Sequence, residues 1–259
     1  FMVLLGIVLP FGAMLPWKRG QMGRVAKSLA PAMVLAVAIG ALTWAIQTER
    51  SAMGPIGMML GAWLVAGAAV DLWSRTGRSG NRVGRLFRLP RADWGKAISH
   101  GGLGVTMAGI AGLLAWEAED IRVVNIGDSF EVAGFTLMLE DVRDVEGPNY
   151  LSTMADIRLS KDGEAISFLH PEKRYYPVAD MPTTEAAIDN GFLRDVYVVI
   201  GDPQEGGGWA VRTYFKPLAN WIWGGAILMA IGGFFSLSDR RYRIAAGARK
   251  PVPGGVPAE

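Results

Sequence analysis

The sequence contains no cysteine, which excludes a disulfide framework, a thiolate nucleophile and a thiolate metal site. Among the chemically functional residue types that do occur, histidine is the scarcest, with two of the 259 residues. Charged residues make up only 19% of the chain. No Gly-rich phosphate loop, metal-spaced carboxylate cluster or Ser/His/Asp arrangement is found. These absences argue against an autonomous hydrolase or kinase.

Hydrophobic residues make up 51% of the chain and are concentrated in long runs. A helix of about 20 apolar residues is long enough to cross the hydrocarbon core of a bilayer. The first run opens without an initiator Met, so we expect the end of a span of a longer polytopic protein, kinked at Pro10. The runs predict about five spans: Phe1–Trp17, Leu29–Ile46, Pro55–Trp73, Ala97–Trp116 and Pro217–Leu237.

Basic residues are distributed unevenly between the predicted spans. The loops at 17–28, 71–96 and 238–259 carry 16 of the 26 basic residues, and the rest of the chain carries 20 of the 24 acidic ones. The positive-inside rule therefore predicts that these loops are cytoplasmic and that residues 117–216 lie across the membrane. The arginines from Arg75 to Arg91 could also bind anionic lipid head groups, although topology alone explains them.

Residues 117–216 are predicted to be mostly β-strand. Turn signals separate short segments rich in β-branched and aromatic residues, and Lys161-Asp162-Gly163 is typical of a hairpin. This pattern favours a small β-sandwich or partly open barrel. A short helix is predicted at Thr184–Asn190, with Thr183 or Thr184 as its N-cap. The predicted strands are Ile121–Ile126, Ser129–Val132, Thr136–Val145, Tyr150–Leu159, Ala165–Leu169, Arg194–Ile200 and Trp209–Tyr214.

The predicted architecture is thus a polytopic α-helical membrane protein with an inserted all-β periplasmic domain. We expect four spans with basic loops in residues 1–116 and the β domain in residues 117–216. The last span is expected at 217–238, followed by a basic, Pro/Gly-rich and disordered tail at 239–259.

His100 is an ionisable residue inside a predicted span, and such residues usually mark a site. As the third or fourth residue of its span, it is expected about 5–10 Å below the cytoplasmic interface. The glycines around it allow close approach of a helix or a flat ligand: Gly101, Gly102, Gly104, Gly109 and Gly112. A neutral imidazole is a common axial ligand of haem iron. The alternatives are a proton relay, or an interfacial residue bonded to a loop carbonyl.

The second histidine opens the run His170-Pro171-Glu172-Lys173-Arg174-Tyr175-Tyr176-Pro177. Two prolines bracket charged and aromatic residues, which predicts an extended, exposed strand or loop. Its donors His170, Lys173 and Arg174 could contact a propionate or a peptide. The alternative is a solvated loop with ordinary surface charge. Further on, an aromatic cluster is typical of a membrane-interface belt: Trp209, Tyr214, Trp221 and Trp223.

Several stretches together resemble the CcmF (CycK) family, the haem lyase component of cytochrome c maturation. They are MPTTEAAIDNGFLRDVYVVIGDP, GGWAVRTYFKPLANWIWGGAILMAIGGFFSLSDRRYR, HPEKRYYP, and the basic loop with Trp94-Gly95 and His100 ahead of the β domain. The resemblance implies a multi-pass protein of the bacterial inner membrane that holds haem b between spanning helices through two histidines. His100 matches one of them and would ligate the haem iron.

The resemblance also implies what this chain lacks and which partners it meets. The family's other intramembrane histidine, its periplasmic histidines and its tryptophan-rich motif have no counterpart here, so the fragment alone is expected to be inactive. The implied partners are CcmH- and CcmI-type subunits, the haem chaperone holo-CcmE, apocytochrome c and membrane lipids, with no nucleic acid.

A second hypothesis from a different class is a non-catalytic membrane scaffold, whose β domain recognises a periplasmic partner while His100 only packs. A transporter domain is a weaker third option, because the spans show no broken-helix pairs or buried charges.

Overall fold

A computed structural model describes residues 2–15, 21–48, 50–77 and 80–239. The helices are α1 (Met2–Met14), α2 (Met22–Ile46), α3 (Met53–Ser74), α4 (Arg82–Leu86), α5 (Arg91–Trp116) and α6 (Ala219–Leu237). The strands are β1 (Ala118–Val124), β2 (Ser129–Val132), β3 (Phe135–Glu146), β4 (Leu151–Lys161), β5 (Glu164–Leu169), β6 (Glu172–Tyr176), β7 (Met181–Glu185), β8 (Ala187–Asn190), β9 (Arg194–Pro203) and β10 (Trp209–Pro217).

Four of the described helices, α2, α3, α5 and α6, are long and apolar enough to cross a membrane. The first predicted span corresponds to α1, which has 13 residues and remains helical through Pro10. At about 1.5 Å per residue, α1 is about 20 Å long, which is shorter than a hydrocarbon core of about 30 Å. All ten strands lie between α5 and α6. The predicted helical membrane fold with an inserted β domain is therefore confirmed.

Two helices begin earlier than the apolar runs predicted. Helix α2 starts at Met22, so Arg24 and Lys27 are helical and do not belong to a loop. Helix α5 starts at Arg91, so His100 is its tenth residue, whereas the apolar run placed it third or fourth. The charged first turns continue the helical hydrogen bonding beyond the apolar run, so hydropathy alone misplaces the start. Some of the predicted basic loops and tail lie outside the described residues, namely Lys18, Arg19, Arg78 and the chain from residue 240.

The described residues of ranges 1–37, 60–106 and 224–259 form one compact unit, called here the first unit. In it, α5 and α6 meet through glycines. A Cβ added to Gly102 would lie 2.7 Å from the carbonyl oxygen of Gly225, and one added to Gly95 would lie 2.5 Å from that of Gly232. Small residues that let backbones touch are a common basis of helix association in membranes. The α5–α6 contact therefore leaves no room for larger side chains.

The ranges 38–59 and 107–223 form the second unit. Its strands make two antiparallel sheets, one with strand order β1-β10-β9-β8 and one with order β2-β3-β4-β6-β7, in which β5 also pairs with β4. Inward-facing side chains of both sheets share a single apolar core, as in a β-sandwich. Its fully buried members include Leu137, Leu139, Ile157, Leu159, Val198 and Ile200.

Most of the strand predictions are confirmed, including the hairpin between β4 and β5. Asp162 and Gly163 have φ angles of 53° and 83°, which suits the tight turns that join antiparallel strands. Lys161 and Glu164 flank them as a strand pair. Glycine adopts a positive φ angle without steric cost, which explains why a glycine follows Asp162 in this turn.

The predicted helix at Thr184–Asn190 is wrong. This segment contributes to strands β7 and β8, which pair with β6 and β9 respectively. Pairing with neighbouring strands satisfies the backbone groups that a helix would have bonded internally, and Thr183 and Thr184 are strand residues that cap no helix. Of the extended strand or loop predicted at His170–Pro177, Glu172–Tyr176 form strand β6, which lies between β4 and β7 in its sheet.

The α5–α6 contact predicts that alanine is destabilising at one of two adjacent glycines and tolerated at the other. A Cβ on Gly232 would come within 2.5 Å of the Gly95 carbonyl oxygen, whereas one on Gly233 would meet nothing within 4 Å. We expect Gly232→Ala to reduce the free energy of unfolding by about 1–3 kcal/mol through overpacking. Gly233→Ala is the matched control and should be nearly neutral. Thermal unfolding of the full-length protein in detergent measures the difference, and equal midpoints for the two variants would contradict the described contact.

Candidate functional site

His100 lies on the face of α5 that meets α3. One turn before it, the Lys96 Nζ is 2.6 Å from Oδ2 of Asp71 on α3. One turn after it, a Cβ on Gly104 would lie 2.7 Å from the carbonyl oxygen of Gly61, also on α3. Residues four apart share one face of a helix, so His100 is held between two contacts to the same neighbour. The side chain is half-buried.

The Asp71 carboxylate is the centre of a buried ion cluster beside this face, so the expectation that the spans hold no buried charges is wrong. Its side chain is only 4% exposed and is bound by Lys96 and by Arg75, whose Nη2 is 3.1 Å from Oδ1. Arg75 also binds Asp93 at 2.9 Å. We call Asp71, Arg75, Asp93 and Lys96 the Asp71 cluster. Two acids and two bases cancel in charge, which is the condition under which a buried carboxylate is tolerated.

The Asp71 cluster also reaches α1. The Lys96 ammonium donates a hydrogen bond to the Ala13 carbonyl oxygen at 3.1 Å. Carbonyls at the C-terminus of a helix lack intrahelical partners and attract cations. One lysine therefore links α1, α3 and α5 at a point one helical turn from His100.

The arginines of the predicted basic loop are partly committed to structural contacts. Arg82 lies over the Trp73 ring at 4.3 Å and donates to the Trp73 carbonyl oxygen and to Thr76 Oγ1. Trp94 Nε1 donates to the Leu86 carbonyl oxygen at 3.1 Å, which ties α4 to the first turn of α5. These contacts therefore give this segment a structural role that does not depend on binding anionic lipid.

The glycines near His100 divide into two groups. Gly102 and Gly104 are packed against α6 and α3, whereas a Cβ on Gly101 would meet no described atom within 4 Å. Among the described residues, neither nitrogen of the His100 ring has a hydrogen-bond partner. Such a half-buried imidazole has a nitrogen that could coordinate haem iron, and the open position at Gly101 would leave room for a flat ligand. The described residues hold no group of three or more His, Asp or Glu side chains suited to a metal ion.

A groove of about 720 Å³ on the β domain contains two of the other predicted site residues, Lys173 and Arg174. Strand β6 places both at its wall, and each is paired with an acid. Lys173 binds Asp202, and Arg174 Nε donates to Glu172 Oε2 at 2.8 Å. The remaining lining residues come mainly from β3 and β4: Asp144, Val145, Glu146, Leu151, Ser152, Thr153, Tyr175 and Pro182.

The charges of the groove are held in place by hydrogen bonds. The Arg174 guanidinium beside Glu172 lowers the pKa of that carboxyl, and Ser152 Oγ, which donates at 2.8 Å, also favours the carboxylate. The same ion pair raises the pKa of Arg174. Arg174 also lies over the Tyr150 ring at 4.5 Å. Tyr175 donates to Asp180 at 2.8 Å, which raises the pKa of its hydroxyl. The groove thus presents fixed, oriented charges.

The structure does not bring His170 into this groove. Its Nδ1 is 2.7 Å from Asp156 Oδ1, and Asp156 also binds Arg143. The predicted trio therefore separates into Lys173 and Arg174 in the groove and His170 in an exposed pair outside it. The acids that complete the groove, and the Asp71 cluster, were not predicted from the sequence. For that cluster, the four-residue spacing of Asp71 and Arg75 on one helix was an available signal.

The fold and the site define a class of polytopic membrane protein in which a β-sandwich is inserted between two helices of spanning length. Residues 115–217 match the family model described as the CcmF C-terminal beta-sandwich. A solved structure titled Cytochrome c Heme Lyase CcmF shares the fold, with a TM-score of 0.69 at 20% identity over 92% of this chain and 38% of that one.

Similar curated proteins cover nearly all of the chain. A cytochrome c-type biogenesis protein, ccl1, of Rhodobacter capsulatus is 57% identical over the whole chain. CycK of Bradyrhizobium diazoefficiens is 40% identical over 96% of it, and CcmF of Escherichia coli is 34% identical over 98%. The chain belongs to the CcmF/CycK family of cytochrome c-type biogenesis proteins, which confirms the resemblance seen in the sequence. It spans 38–39% of the length of these three relatives.

The Asp71 cluster predicts a large difference between its two acids. We expect Asp71→Ala to reduce the free energy of unfolding by about 3–5 kcal/mol, because it leaves two cations without their shared buried partner. Asp93→Ala is the matched control, since it removes a more exposed acid with one cationic partner and should cost about 1 kcal/mol or less. Thermal unfolding in detergent compares them. A loss for Asp71→Ala no larger than that for Asp93→Ala would show that the cluster is not buried as described.

Proposed function

We propose that the chain is the C-terminal part of a haem lyase component for c-type cytochrome biogenesis, and that His100 is an axial ligand of haem b within the membrane. The observation that carries the proposal is the half-buried His100 imidazole, which lies beside the open position at Gly101 and has no hydrogen-bond partner within the described part of the chain. Membership of the CcmF/CycK family supports it, since its members are named cytochrome c-type biogenesis proteins and the solved structure with the same fold is titled a haem lyase.

The proposed location is the bacterial inner membrane, with residues 117–216 in the periplasm. The concentration of basic residues in the sequence ranges 17–28, 71–96 and 238–259 supports this orientation. In that orientation the β domain faces the compartment where c-type cytochromes are assembled. Topology mapping with reporters fused in the β4–β5 turn and in the α3–α4 connection tests the orientation directly.

In the proposed haem site, the residues of this chain hold and orient one ligand. The Asp71 cluster and Gly104 fix the face of α5 that carries His100 against α3, so the imidazole keeps one direction. Haem b bound there would supply one-electron redox chemistry. His170 is bonded to Asp156 on the β domain, so we expect the second axial ligand to come from outside the described residues.

The β domain is proposed to dock the partners of the assembly, namely CcmH- and CcmI-type subunits, holo-CcmE and apocytochrome c. The groove supports this role because Lys173 and Arg174 present cations that a peptide carboxylate or a haem propionate could bind in exchange for Asp202 or Glu172. The pair of His170 and Asp156 lies outside the groove and would contact a partner separately. The alternative function, a scaffold without haem, would use the groove alone.

The haem proposal predicts loss and chemical rescue of one spectroscopic signal. In the full-length membrane protein, His100→Gly should abolish or shift the b-type signal of the reduced-minus-oxidised absorbance spectrum, because the iron loses a ligand. Added free imidazole should restore it by filling the vacated position. Ser99→Ala is the control for general effects on α5 and should retain the signal.

An unchanged spectrum in His100→Gly, at a normal level of membrane insertion, would overturn the haem proposal. It would leave His100 as a packing residue and favour the scaffold alternative. Loss of the signal without recovery in imidazole, together with a lowered unfolding midpoint, would also count against direct ligation, because a misfolded helix then explains the loss.

The docking proposal predicts a charge-dependent change in partner affinity. Lys173→Glu should weaken binding of a purified CcmH-type subunit at least tenfold, because it places repulsion among the acids of the groove. Lys161→Glu is the matched control, since Lys161 lies in the β4–β5 hairpin outside the groove lining. Binding measured in detergent at two salt concentrations tests this. Equal affinities for the two variants would rule out the groove as the docking surface.

A further inference from the structure

The loop between β8 and β9, Gly191–Leu193, is bonded to the start of α6. Its three successive carbonyl oxygens accept hydrogen bonds from three groups there: the Asn220 side-chain amide at 2.8 Å, Trp221 Nε1 at 3.0 Å and the Leu218 backbone N–H at 2.8 Å. We call these three residues the 191–193 loop. Every carbonyl of the loop is thus satisfied by the residues that begin a helix of spanning length.

A buried acid reinforces this connection. Asp195 is only 3% exposed, and its Oδ1 accepts from the Gly191 N–H at 3.1 Å and from Asn220 Nδ2 at 2.9 Å. The side chain of Asn220 therefore bridges the loop and the first residues of β9. These bonds fix the 191–193 loop at the level of the first turn of α6.

The side chains of the loop are apolar and uncovered. Phe192 is 78% exposed and Leu193 is 60% exposed, and Trp223 in the first turn of α6 is 72% exposed. The Phe192 ring packs against Trp221 in a tilted arrangement, with the ring centroids 5.7 Å apart. Large apolar side chains gathered in this way on a protein surface mark a contact with an apolar partner.

We propose that the 191–193 loop inserts into the lipid interface beside α6 and acts as a further membrane anchor of the β domain, in addition to α5 and α6. α6 is an apolar helix of spanning length that begins at Ala219, so a loop bonded to its first turn is placed at the boundary between water and lipid. Phe192 and Leu193 would then lie among the upper parts of the acyl chains. Trp221 and Trp223 add the aromatic residues that favour this depth.

Two features favour lipid over a protein partner. Backbone groups in lipid must be satisfied internally, and the three carbonyls and the Gly191 N–H of the loop meet this condition through contacts within the second unit. The loop itself carries no charge, and the nearest cation, Arg194, is paired with Asp189. A polar protein interface would be expected to offer free donors or charges here. The inference is independent of the haem proposal.

Site-directed spin labelling tests the anchor, because this chain contains no competing thiol. The full-length protein, with any other cysteine replaced by alanine, carries Phe192→Cys or Leu193→Cys with a nitroxide label in nanodiscs of phosphatidylcholine and phosphatidylglycerol. Val178→Cys is the matched control, since Val178 lies in the β6–β7 turn and is fully exposed. Power-saturation EPR compares collisions with O₂, which partitions into lipid, and with a water-soluble Ni(II) chelate.

We expect the ratio of O₂ to Ni(II) accessibility at positions 192 and 193 to exceed that at position 178 at least fivefold. Two results would overturn the proposal. Equal ratios at the three positions would place the loop in water. Exclusion of both reagents from positions 192 and 193 would show that a protein surface covers it. Two label positions keep the test decisive if one variant fails to insert.

Discussion

Contact between the backbones of α5 and α6 determines how the helix that carries His100 is rotated. The contact uses Gly95 and Gly102 on α5 and permits no larger side chain. At 100° per residue, His100 lies about 160° around the helix from Gly102, which turns it away from α6. The Asp71 cluster then holds that opposite face against α3 through Lys96. The glycine contacts with α6 on one side of α5 and the ion pair with α3 on the other therefore determine the direction of the His100 imidazole.

The β domain follows a different physical rule. Its two sheets bury an apolar core of alternating side chains, and its outer surface is organised by charge pairs. Lys173 with Asp202 and Arg174 with Glu172 hold opposite charges beside a groove, which suits exchangeable contacts with partners. The 191–193 loop leaves its apolar side chains uncovered while satisfying its carbonyls internally. One domain thus presents a polar surface suited to proteins and an apolar edge suited to lipid.

Much of the fold could be predicted because its signals are local. The spans are recognisable from long apolar runs, and the strands from short β-branched segments ended by turn residues such as Asp162-Gly163. His100 could be singled out because an ionisable residue is out of place in an apolar helix. The start of α5 was misplaced because its first turn is charged and belongs to the Asp71 cluster, which depends on contacts between distant helices. The residues 181–190 became strands because β6 and β9 lie alongside them, which no local pattern records.

The site could be predicted only in part for the same reason. Lys173 and Arg174 were found through their sequence run, but the acids that orient them come from other strands. His170 belongs to the same run, yet its ring is bonded to Asp156 on β4. Pairings across a sheet are set by strand register, and one step along a strand reverses the direction of a side chain. Composition could identify these residue types without showing which of them would meet.

An experimental structure of the full-length protein, loaded with haem in a nanodisc, would show whether His100 binds the iron. We expect a ring nitrogen of His100 to coordinate the iron, with the macrocycle extending past Gly101 and with Lys96 still bound to Asp71. A haem whose two axial ligands are both other residues, with the His100 ring packed against protein alone, would contradict it.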